Sequence, residues 1–89
     1  MENKLTAREM FEELGYSKTI FPNGTIQYEK VKKEKTSRVR FYLEDKVYSA
    51  YYTDLSENGV EIRQMTRLIK AKLHKAINKQ IEELGWKNE

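Results

Sequence analysis

Apolar residues in this chain change their spacing twice, and that change limits what the chain can fold into. Ala7, Met10, Phe11 and Leu14 lie three and four apart. From Thr25 to Thr53 the pattern alternates, as in "TIQYEKV" (Thr25–Val31), "RVRFYL" (Arg38–Leu43) and "KVYSAYYT" (Lys46–Thr53). The wider spacing then returns at Met65, Leu68, Ile69, Leu73, Ala76, Ile77, Ile81 and Leu84. A repeat of about 3.6 lines one face of a helix, and a repeat of about 2 lines one face of a strand. The expected fold is therefore one α+β domain over residues 1–89. It has an N-terminal helix, a three-stranded antiparallel meander and a long C-terminal amphipathic helix. Both helices should cover the same sheet face.

The ends of the helices are written locally. Thr6 and Glu9 form a capping-box pair, and Leu5 and Met10 can staple the first turn. "FEELGY" (Phe11–Tyr16) and "IEELGW" (Ile81–Trp86) share one pattern. Each places Gly just past a helix end, where positive φ is needed, and an aromatic after it that can fold back on the last turn. Tyr16 should pack on Phe11, and Trp86 on Ile81. The shared string is a stop signal used twice, since the residues between the copies do not repeat. The start of the second helix stays open, with Thr66 or a residue just before Met65 as its cap. "NGVEI" around Gly59 reads as a short strand or a loop.

Between the helices, "PNG" (Pro22–Gly24) marks a turn, "KKEKTS" (Lys32–Ser37) a polar hairpin loop, and Glu44–Asp45 with Lys46 a tight turn. Placing Leu43 opposite Tyr48 sets Phe41 against Ala50 and Val39 against Tyr52. That face is apolar and should meet the helices. The other face then shows Arg38, Arg40 and Tyr42 beside Ser49, Tyr51 and Thr53. A slip of one residue would mix the two sets.

Most chemistry is excluded by composition. There is no cysteine, so disulfides and thiolate metal sites cannot form. The only histidine, His74, has no carboxylate on its helix to orient it and no ligand partner three or four residues away. The pairs Glu12–Glu13 and Glu82–Glu83 sit in terminal helical turns and read as solvated surface. No glycine-rich phosphate loop is present. The expectation is a protein that is not an enzyme and has no metal or cofactor. Apolar runs are short, so no membrane span or signal peptide is expected either, which suggests a soluble protein of the cytoplasm.

Charge is concentrated in blocks. Residues 30–40 carry six basic groups and one acidic, and residues 63–79 carry six basic and none acidic. Acidic stretches flank both blocks, and the net charge is only +3. Two partner classes follow. Arg38, Arg40, Tyr42 and Tyr51 on the sheet, with Lys32, Lys33 and Lys35 on the loop, have the composition of a protein-binding surface. The same groups could neutralise phosphates and stack on unpaired bases. A second basic surface is expected on the last helix, from Arg63, Arg67, Lys70, Lys75 and Lys79. No known nucleic-acid motif matches. An exposed sheet edge allows a weak homodimer as well as a monomer.

The segments "LTAREMFEELGY" and "AINKQIEELGW" resemble the ends of small uncharacterised proteins of phages and prophages of Gram-positive bacteria (Firmicutes). The resemblance covers about a third of the chain and supplies no catalytic residue. It implies expression in the cytoplasm of a bacterial host. The implied partner is a host or phage protein, and the implied role is modulation or inhibition of a host or defence component, for example one of CRISPR type.

Overall fold

Local signals build the first helix as the sequence dictates. Thr6 Oγ1 accepts from the Glu9 N–H at 3.1 Å, and Glu9 Oε1 accepts from the Thr6 N–H at 2.8 Å. These two bonds satisfy donors that a helix start leaves unpaired. At the other end Gly15 has φ +94°. The Tyr16 N–H donates to the Phe11 carbonyl at 3.0 Å, and the Gly15 N–H to the Glu12 carbonyl at 3.0 Å. This is the complete Schellman pattern. The Tyr16 ring meets Phe11 edge-on, with centroids 5.6 Å apart. At the second copy Gly85 has φ +77° and donates to the Glu82 carbonyl. Trp86 and Ile81 both pack against the core, where the Trp86 ring lies 6.2 Å from that of Phe41.

The computed structural model describes residues 5–33, 35–55, 61–66 and 69–86, with residues 55 and 61–66 described through their backbone. The elements are α1 (Ala7–Glu13), β1 (Ser17–Ile20), β2 (Ile26–Val31), β3 (Lys35–Tyr42), β4 (Val47–Leu55), β5 (Glu61–Thr66) and α2 (Ala71–Glu83). The α+β class holds, but the sheet has five strands rather than three. They lie in sequence order, each antiparallel to the next.

The two additional strands flank the expected meander. β1 is four residues long and exposed along most of its length, so it offers no alternating signal. Its strand conformation comes from pairing with β2. The turn between them carries the expected signature. Gly24, with φ +91°, donates to the Phe21 carbonyl at 2.8 Å, and Asn23 Oδ1 accepts from the Thr25 N–H. β5 corrects the start of the last helix. Met65 and Thr66 belong to a strand, and α2 begins only at Ala71, behind Lys70, which caps it without a side-chain hydrogen bond. Spacing alone could not separate them, because a six-residue strand ahead of a helix can extend the apparent stripe. Ile62 of "NGVEI" also lies in β5, while Val60 and Leu68 lie outside the described residues.

The central hairpin keeps the expected faces in a register shifted by two. Phe41 pairs with Tyr48 and Val39 with Ala50, around a four-residue turn in which Lys46 takes φ +55°. An even shift preserves parity, so no side chain changes face. The loop between β2 and β3 is shorter than expected. Lys35, Thr36 and Ser37 belong to β3, and the Lys32 N–H closes the turn on the Lys35 carbonyl.

Both helices pack on the face that carries Ile26, Tyr28, Val39 and Phe41. Phe11 from α1 and Leu73, Ala76 and Ile77 from α2 complete this core. Phe11 stacks on Tyr28 at 3.7 Å between centroids and 9° between planes. The Tyr28 hydroxyl, fully buried, donates to Gln80 Oε1 of α2 at 2.5 Å. Glu83, near the end of α2, accepts from the Ala7 N–H at 2.7 Å. This carboxylate suits the positive end of α1 and ties the two helices together.

The helix-free sheet face as a candidate docking surface

Alternation in β2, β3 and β4 places one set of side chains on the face away from the helices. Cross-strand rows there run Glu29–Arg38–Tyr51 and Gln27–Arg40–Ser49, with Tyr42 opposite Val47 in the next row. Arg38, Arg40, Tyr42 and Tyr51 are all half-buried. The structure therefore brings together the four sheet residues expected from the sequence, on the face opposite α1 and α2.

Neighbours on the sheet hold these side chains in place. Arg38 Nε donates to Glu29 Oε2 at 2.8 Å, an ion pair whose side chains are only 17% and 30% exposed. Arg40 Nε donates to Gln27 Oε1 at 2.7 Å. The Arg40 guanidinium carbon lies 5.6 Å from the Phe21 ring centroid and 6.0 Å from that of Tyr51. These distances suit attraction between a cation and an aromatic face. The Tyr42 and Ser49 hydroxyls are 3.4 Å apart. Val31 and Val47, at two corners of this face, are 68% and 50% exposed. The surface combines fixed polar groups with exposed apolar ones, as contact patches do.

Gln27, Phe21, Val31 and Val47 are the members that sequence reasoning missed. Parity could have found Gln27, since the β2–β3 hairpin puts it on the Arg40 side. Phe21 carried a weaker signal, an aromatic directly before a Pro-Asn-Gly turn.

The basic loop does not extend this surface. Lys35 alternates to the helix side, where its ammonium sits 4.5 Å from the Tyr52 ring centroid. Lys33 is exposed in the turn. Lys32 instead lines a groove of about 340 Å³ with Tyr16, Lys30, Lys70 and Lys72. Two basic sequence blocks thus converge at one end of the molecule.

The expected second basic surface is divided between elements. Lys70 precedes α2, and Lys75 and Lys79 lie within it, with Lys79 4.0 Å from Glu82. Arg63 belongs to β5, opposite Asp54 in register, so it shares no helix with them. Arg67 lies outside the described residues. The physical reason is the strand at residues 61–66, which interrupts the helix on which all five were placed.

His74 is exposed on α2. Among the described residues no three His, Asp or Glu side chains cluster to hold a metal ion, and no helix is long and apolar enough to cross a membrane. No family model, curated protein or solved structure matches the chain.

Proposed function

We propose that this chain is a non-catalytic module that binds another protein through the helix-free face of its sheet. The observation that carries the reading is the cluster of Arg38, Arg40, Tyr42 and Tyr51 on that face, anchored by Glu29 and Gln27. Side chains already held in place lose less freedom on association than mobile ones, so more of the contact energy remains as affinity. Tyrosine and arginine are also the residue types that dominate contact energetics. Because Glu29 offsets Arg38, the face is less cationic than its sequence suggests. That balance favours a protein over a polyanion. Together with the resemblance of the chain ends to phage proteins, this supports action as a monomer or weak homodimer in the cytoplasm of a bacterial host. The role is to modulate or inhibit a host or defence component, with CRISPR-type machinery as one example.

Affinity capture from bacterial lysate, with and without nuclease, tests this. Nuclease-resistant retention of one species is expected, with loss in the double variant Arg40→Glu, Tyr51→Ala. Retention by that variant, with its fold verified by circular dichroism, would remove the sheet face as the site.

A specific observation favours a second reading. Lys30, Lys32, Lys70 and Lys72 converge on one groove and could neutralise nucleic-acid phosphates. Gel shifts that weaken steeply with salt, and that are lost on Lys32→Glu with Lys70→Glu, would support that role. A folded protein that gives no shift at low salt would remove it.

A further inference from the structure

We propose that Arg40 is the seat of an anion subsite on the docking face, and that the partner fills it with a carboxylate next to an apolar side chain. This rests on the protein-binding reading and names the chemistry of the partner. Arg40 lines an open surface depression of about 420 Å³ together with Phe21, Pro22, Asn23, Thr25 and Tyr42.

Two features fix the group in position. Gln27, only 7% exposed, holds Nε from below, and the Phe21 and Tyr51 rings flank the guanidinium carbon. Arginine has five donors in one plane, so engaging Nε leaves the Nη donors for a second acceptor. Those donors match the two oxygens of a carboxylate.

Arg38 has Glu29 as its counter-ion at 2.8 Å. Arg40 makes its bond to a neutral amide and has no carboxylate partner among the described residues. A half-buried cation without a counter-ion gains more from an incoming anion than a solvated one does. A nucleic-acid backbone would need a row of unbalanced cations, and on this face Glu29 offsets the only other arginine among the described residues. One open fork suits one carboxylate. Phe21 and Pro22 form an apolar wall beside it, which suits an apolar residue adjacent to the acidic one. The partner segment is thus an acidic residue, or a chain end, flanked by an apolar side chain.

The test is an NMR titration of the intact protein with N-acetyl-phenylalanine, which carries a carboxylate and an apolar ring. N-acetyl-phenylalaninamide, inorganic phosphate and a short oligonucleotide serve as comparisons. The expected result is a saturable shift of the Gln27 side-chain amide, the Arg40 Nε–H and the Thr25 amide. The amide probe should bind about tenfold more weakly, or worse, equivalent to about 1.4 kcal/mol. Arg40→Gln should abolish the response, and Arg40→Lys should weaken it while guarding against a folding defect. Equal binding of acid and amide would overturn the proposal, as would shifts confined to other residues. Tighter binding of phosphate or oligonucleotide at Arg40 would also overturn it. Lysate capture separates this from the broader reading. If Tyr51→Ala loses the partner while Arg40→Gln keeps it, the docking face stands and the carboxylate subsite falls. If both variants keep the partner while the probe still binds at Arg40, Arg40 binds carboxylates, but the docking face and the partner's use of the subsite both fall.

Discussion

Single residues carry conformational demands that substitution can expose. Gly15 and Gly85 both hold positive φ, so a side chain at either position strains the backbone by roughly 1 kcal/mol. Their surroundings differ. A Cβ at Gly15 would meet Lys30 Cε at 3.1 Å, whereas one at Gly85 meets nothing within 4 Å. Gly15→Ala should therefore lower the urea midpoint more than Gly85→Ala does. Tyr28 makes a different demand. Burial raises its phenol pKa above the ordinary value of 10.0, and the Glu83 carboxylate adds to the shift. The native state then binds the proton more firmly than the unfolded chain. Its contribution to stability is complete below about pH 10 and is lost as pH rises beyond it. Tyr28→Phe should remove this alkaline loss, as read from denaturation midpoints across a pH series. At neutral pH the same variant strands the buried Gln80 Oε1, at a cost of about 1–3 kcal/mol. Tyr28→Phe with Gln80→Leu should recover much of that loss, because no polar atom is then left unpaired. The tyrosine was visible in the alternating pattern. Its partner was not, because Gln80 is a polar residue inside an apolar stripe.

At the scale of elements, the ends of α1 were legible and the start of α2 was not. A capping box acts over three residues, so sequence contains it whole. Thr6→Ala should cost about 1 kcal/mol in thermal or chemical unfolding. Bonds from Thr6 hold the Glu9 carboxyl below its ordinary pKa. A depressed carboxylate contributes stability above its unfolded value of 4.5 and loses it as pH falls through the lower folded value. Glu9→Gln should flatten that acid limb of the stability profile. Glu83 is exposed, as its sequence position suggests, and it also caps α1 from the far end of the chain. Glu83→Gln should weaken this anchor, and amide exchange at Ala7 should speed up. β1 carried no strand signal, and β5 was legible only as a short strand or a loop around Gly59, for a shared reason. A short strand is stabilised by its neighbour in the sheet, and local residue choice does not encode that neighbour.

Considered as a whole, the molecule is an asymmetric sheet with both helices on one side and, among the described residues, no helix on the other. Phe11, Tyr28, Phe41 and Ile77 are each no more than 1% exposed, in a single cluster that joins both helices to the sheet. Ile77→Ala should cost about 2–5 kcal/mol. Near-ultraviolet and far-ultraviolet circular dichroism should then shift together, since helices and sheet share that core; separate midpoints would show that they unfold independently. The open face owes its existence to the same asymmetry. The sequence by itself determined the α+β class, the helix stops and which side chains share a face, because caps act over a few residues and parity survives an even change of register. Only the tertiary structure decided the number of strands, where α2 begins, the Gln27 bond beneath Arg40, and the separation of the loop lysines from the arginine face. Each of those depends on groups distant in sequence meeting in space, where pairing energy outweighs local preference.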